Sequence, residues 1–168
     1  DVIGPGGQKF LLRALVPNHP DACLIAALDK LEIHTEAAGL AVARLINHEN
    51  DQVRENALLW FVGADELGRS QLNIIRMAIR DQSRKVRRAA VEAASSVAIQ
   101  GDRVTANELG KLLLVETDHY VVSAVIEALL VIKSNTPVVR RGLEQVARGG
   151  NAENKSTAEN ALRLLFKD

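Results

Sequence analysis

The stretch "VRRAAVEAA", residues 86–94, is short, but it recurs along the chain. At 100° per residue with Val86 at zero, Ala90, Ala93, Ala94 and Val97 fall between about −20° and about 80°. Apolar and small residues confined to such an arc mark a helix face packed closely on its neighbours. "CLIAALDKL" (23–31), "VRENALLWF" (53–61) and "VVSAVIEAL" (121–129) stack on the same register, with "TAENALRLL" (157–165) as a weaker fifth. The first column then holds Cys23, Val53, Val86, Val121 and Thr157. The fifth holds Ala27, Ala57, Ala90, Val125 and Ala161. The ninth holds Leu31, Phe61, Ala94, Leu129 and Leu165. Those first residues are 30, 33, 35 and 36 positions apart, a step that accommodates two helices and two turns.

Each stretch is preceded by another apolar-periodic one: "KFLLRALV" (9–16), "GLAVARLI" (39–46), "LNIIRMAI" (72–79), "ELGKLLLV" (108–115) and "VVRRGLEQV" (138–146). The pattern predicts an all-α chain of about five antiparallel helix pairs. The pairs span approximately 8–33, 35–64, 69–99, 105–133 and 136–167, all within one domain, 8–168. "GPGG" (4–7) falls in a flexible leader, 1–7, since it has neither a preceding strand nor the Lys-Ser/Thr ending of a phosphate loop. Boundaries are marked by Thr105 with Glu108 as a capping box, Thr136 before Pro137, and Thr35 and Ser70 as further caps. Gly63, Gly101 and Gly149 stand where helices should stop.

Composition agrees. Aromatics are 3% of the 168 residues and hydrophobic residues 47%, with abundant Ala, Leu and Val, which suits closely packed helices better than a sandwich. Lys plus Arg equals 21 and Asp plus Glu equals 21, so the formal net charge is zero, whereas a chain that mainly grips phosphate is usually basic throughout. Cys23 is the one cysteine, which excludes an internal disulfide and a multi-thiolate zinc site. No apolar run approaches a membrane span and no secretory leader is present, so a cytoplasmic setting is expected. A start at Asp1 without Met reads as an excised domain or a processed chain.

The dipeptides Val53-Arg54 and Val86-Arg87 follow turn aspartates Asp51 and Asp81 and precede an Ala with Leu or Val after it. This resembles the second-helix signature of HEAT repeats, including the variant named for phycobilisome lyases. The resemblance covers roughly residues 8–166 and implies a right-handed α-solenoid of the armadillo type, with second helices lining one curved face. It also implies that Arg54 and Arg87 meet inter-helix aspartates, with Asp51 and Asp81 as the partners. Repeat one departs from the signature with Cys23-Leu24, repeat four with Val121-Val122 and repeat five with Thr157-Ala158. The end of the chain, with Leu164, Leu165 and Phe166, leaves open either packing on something further or an untidy terminus.

The region 76–88 places Arg76, Arg80, Arg84, Lys85, Arg87 and Arg88 within thirteen positions, against Asp81 alone. Arg87 lies at about 100°, on the flank of the apolar arc, in a column that elsewhere accepts Leu24 and Val122. Its stem is therefore expected to pack and its guanidinium to reach a turn carboxylate or carbonyl. Arg84, Lys85 and Arg88 point to solvent, Arg88 can pair with Glu92, and Arg76 and Arg80 end a helix where cations suit the dipole. Repeat four is acidic, with Asp102, Glu108, Glu116, Asp118 and Glu127, and such a charge pattern favours a protein partner. Aromatic residues to stack bases are missing from the basic stretch.

No catalytic or metal constellation emerges, and no cofactor is expected. His19, His48 and His119 sit in equivalent turns and read as backbone-bonding turn residues, with repeats two apart too distant to share a metal. His34 adds nothing to them. Cys23 reads as a small core residue, Trp60 as core or rim, and Asp65-Glu66 as part of a polar loop. The expected function is a protein-interaction scaffold or adaptor inside a larger protein. It would bind a protein or peptide along the second helices through Arg54, Glu55, Trp60, Arg84, Arg88, Glu92 and His119. The alternatives are a nucleic-acid module using Arg76, Arg80, Arg84, Lys85 and Arg88, as in HEAT-like DNA repair glycosylases, and an enzyme of the bilin-lyase type. Oligomeric state is open.

Overall fold

The structure, a computed structural model, describes residues 4–167, which form eleven helices and no strand. The first two pairs are α1 (Pro5–Ala14) with α2 (Asp21–Lys30), and α3 (Glu36–Leu45) with α4 (Asp51–Trp60). In the third pair α5 (Asp65–Ser70) and α6 (Leu72–Ala78) precede α7 (Arg84–Val97). α8 (Arg103–Leu113) with α9 (His119–Ile132) and α10 (Pro137–Gly149) with α11 (Ala152–Leu165) complete the five pairs. The second helices α2, α4, α7, α9 and α11 pack one on the next, so a single apolar spine runs through the molecule. Leu24, Leu58, Val86, Ala90, Val125 and Leu129 lie fully inside it.

Side chains close several helix starts. Thr35 accepts from the Ala38 N–H, Thr136 from the Val139 N–H, and Asn50, Asp118 and Asn151 cap α4, α9 and α11. Two expected caps are corrected. The cap of α8 is Asp102, which accepts from the N–H groups of Val104 and Thr105, so the helix begins before the Thr105–Glu108 box could form. Ser70 ends α5 and donates back to the Leu67 carbonyl. Gly63 and Gly101 do take positive φ, at 86° and 80°, where an L side chain would be strained.

Other boundaries also shift. Helix α1 starts at Pro5, a residue pre-organised for the first turn, so Gly4 as its N-cap and residues 5–7 belong to the fold, and residues 1–3 of the expected leader lie outside the described residues. Asp65 and Glu66 open α5, where their charges favour the helix N-terminus, and do not form a loop. Gln71, with φ −99° and ψ 4°, breaks the run between α5 and α6. Cys23 is exposed, because nothing among the described residues covers the side of α2 on which Val53, Val86 and Val121 are buried in later repeats. In α11 the buried residues are Asn154, Ala158 and Ala161, while Thr157 is only partly covered. Ala158 falls in the column of Leu24, Arg54 and Val122 and Ala161 in the buried fifth column, so repeat five keeps the register aligned on Thr157 with its first column less covered.

The first helices form a looser layer. α8 and α10 lie close because Gly110 faces the backbone of Val138 and Val139, and Gly142 faces the Gly110 carbonyl. A Cβ on Gly110 would come within 2.9 Å of the Val139 nitrogen, and one on Gly142 within 2.7 Å of the Gly110 oxygen. By contrast, α6 and α8 barely touch. Replacing Gly110 or Gly142 by Ala is expected to lower stability by about 1–3 kcal/mol in urea titrations, since backbone has to move. Gly39→Ala, inside α3 with nothing within 4 Å of the new atom, should raise it by about 0.5–1 kcal/mol.

Candidate functional site

The inter-helix turns stack along one edge of the molecule, and a fork of hydrogen bonds recurs there. Arg54 donates from Nε and Nη2 to the two carboxylate oxygens of Asp81 at 2.8 and 2.9 Å. Its Nη1 donates to the carbonyls of His48 and Glu49. One repeat later Arg87 does the same, with Nε and Nη2 on Glu116 at 2.6 and 3.0 Å and Nη1 on the carbonyls of Asp81 and Gln82. Each guanidinium thus ties down its own turn and grips the carboxylate of the next one, a bidentate geometry that lysine cannot reproduce.

This corrects part of the expected pairing. Asp81 is the partner of Arg54, across repeats, but Asp51 meets no arginine among the described residues and instead accepts from the Ser83 hydroxyl at 2.8 Å. The carboxylate for Arg87 is Glu116, which the motif did not indicate. A signal was present: Asp81 stands five residues before Val86 and Glu116 five before Val121, whereas Asp51 stands only two before Val53. Where the arginine column turns apolar, links donated by asparagine amides take over. Asn50 donates to Asp21 at 2.7 Å, and Asn154 donates to the His119 carbonyl at 3.0 Å.

The remaining cations of 76–88 follow the same direction. Arg80 meets Glu108 at 2.5 Å, Arg84 meets Asp118 at 3.1 Å, and Arg76 reaches Thr105 at 3.5 Å and Asp102 at 3.9 Å. Arg88 pairs with Glu92 in its own helix at 2.8 Å. Lys85 alone of the six has no carboxylate at ion-pair distance among the described residues. The acidic fourth repeat is therefore the internal counterpart of the basic third. Arg80 and Arg84 are exposed, and their pairs contribute well under 1 kcal/mol each, but they do neutralise the patch.

Burial sorts the expected contact residues. Arg54 is buried in its fork, and Trp60 is buried with its indole N–H donating to the Leu31 carbonyl at 2.9 Å, so neither presents a surface. Glu55 and Glu92 are half-buried, while Arg84, Arg88 and His119 are exposed. His119 packs against the exposed ring of Tyr120, with centroids 3.9 Å apart. His48 contacts the Pro17 carbonyl through Nε2, and its Nδ1 accepts from the Asn50 N–H. Arg88, Glu92, Tyr120, Ser123, Glu127 and Val131 line a cleft of about 280 Å³ between α7 and α9. A second, of about 310 Å³, opens between α2 and α4 beside His34 and Leu59. Among the described residues no group of three or more His, Cys, Asp or Glu side chains could hold a metal. The sequence does not single out Tyr120 and Val131, and Glu127 enters there only as one of the repeat-four acids, although their helix positions on the outer side of α9 are readable from the register.

A family model for HEAT repeats matches residues 40–130, and the chain belongs to that family. No curated protein matches it.

Glu116 shows how the forks depend on pH. Burial pushes its carboxyl up, but the Arg87 hydrogen bonds and the backbone N–H groups of Asp118 and Thr117 outweigh this and hold it below the usual glutamate range. Its contribution is therefore present above the unfolded-state value and lost as pH falls through the lowered folded-state one. The melting temperature is expected to drop as pH falls below about 4, and to drop less steeply in Arg87→Met/Glu116→Leu. Arg87→Met alone leaves a side chain only 3% exposed without its counter-ion. It should cost about 3–5 kcal/mol in denaturant titrations, most of it recovered in the double variant.

Proposed function

We propose that this chain is a protein-interaction scaffold whose partner lies along the second helices, with the α7–α9 cleft as the main contact. HEAT repeats generally mediate protein interactions, which supports the general class. The observation that favours this face is the chemistry of the cleft. An ion pair, Arg88–Glu92, sits beside Tyr120 at 60% exposure and Val131 at 56%, with the Glu127 carboxylate between them. Apolar surface interleaved with both signs of charge matches protein side chains, and a phosphate backbone would meet two carboxylates there. The opposing reading, a phosphate grip by residues 76–88, is weakened because five of those six cations already face carboxylates. No helix among the described residues is long and apolar enough to cross a membrane.

Fluorescence anisotropy with single-stranded and duplex DNA and RNA should show no binding at physiological salt. Tight, steeply salt-dependent binding that disappears in Arg84→Glu/Arg88→Glu would reverse the reading. Partners captured by the wild-type chain should bind at least about tenfold more weakly to Tyr120→Ser/Val131→Ser. Both changes are on exposed side chains and should leave stability within about 0.5 kcal/mol.

A further inference from the structure

The α6–α8 cleft, of about 550 Å³, opens between Arg80 and Asp81, just after α6, and the stretch from Lys111 to Thr117 at the end of α8, with Arg87 of α7 also in its lining. It exists because these two helices barely touch, while the next pair of first helices is drawn together at Gly110 and Gly142. Long polar side chains span the gap instead. Glu108 receives Arg80 at 2.5 Å from across the cleft and Lys111 at 2.7 Å from its own helix. One carboxylate thus serves two cations, both more than half exposed. Deeper in, Arg87 and Glu116 neutralise each other, and Asp81 is matched by Arg54. The rim consequently keeps one positive charge. Beside it Val115 is 75% exposed and adjoins Leu112, an apolar step in the same wall.

We infer that this cleft is a docking site for a partner protein's segment in which a carboxylate side chain neighbours an apolar one. The carboxylate sits with Glu108 between Arg80 and Lys111, making two cations and two anions, and the apolar side chain covers Val115 and Leu112. Charge balance selects the sign of the occupant and the valine selects its neighbour. A free phosphate or a nucleic acid would satisfy the first requirement and leave the second unmet.

The test is an NMR titration of the full chain, ¹⁵N-labelled, with three probes. These are an acetylated, amidated hexapeptide alternating Leu and Glu, its counterpart with Lys replacing Glu, and inorganic phosphate. The acidic peptide should shift the amides of Lys111, Leu112, Val115 and Thr117 and saturate by millimolar concentration. Its Kd should rise roughly fivefold in Lys111→Met and again in Val115→Ser. Both replaced side chains are exposed, so the melting temperature serves as a control for folding. The inference is overturned by no saturable shift, by shifts centred on the α7–α9 cleft, by an equal response to the lysine peptide, or by phosphate alone reproducing the effect. Shifts confined to the α6–α8 cleft sustain it whether or not the second-helix face binds a partner.

Discussion

The bidentate grip of Arg87 on Glu116, with Arg54 on Asp81 before it, is the constraint around which the middle of the molecule is organised. A helix pair cannot bury its apolar faces alone, so each repeat needs a neighbour, but apolar burial has no direction and would tolerate sliding. The guanidinium fork supplies direction. It fixes the height of one turn against the next through two oxygens, and it straps its own turn through two carbonyls. Because Glu116 is almost wholly covered, a misplaced repeat would leave a buried charge unmatched.

Much of this was legible in the residues. Spacing and register identified five helix pairs, and the caps at Thr35 and Thr136 followed from local chemistry. The flank position of Arg87 foretold a covered stem with a turn partner. What the pattern could not resolve were features set by neighbours in space. Cys23 carries the same register as three buried valines, yet no described residue packs over it. Thr157 stands in the same column and is only partly covered, although Ala161 in the fifth column is buried as in the other repeats. Glu116 was hidden because the motif names aspartate, although its column held the acid.

Charge pattern was the more instructive case. A basic repeat followed by an acidic one looks, in a string of letters, like a surface made for an outside partner. In space the two are adjacent, and most of the opposite charges meet across the seam. What that cancellation leaves on the surface is the mixed cleft between α7 and α9, and a single surplus cation at the mouth of the α6–α8 cleft.

The forks also have a polarity. Each buried cation belongs to the earlier repeat and its anion to the later one. The array is therefore not equally divisible. A cut between repeats two and three, or three and four, separates a covered ion pair, whereas at the last junction the same column holds Val122 and the link is an amide to a carbonyl. Repeats two, three and four form one indivisible block for any exchange, shuffling or transplantation of modules. Repeat five can be exchanged without breaking a covered ion pair, provided its first helix keeps the glycine at 142 that lets it approach Gly110.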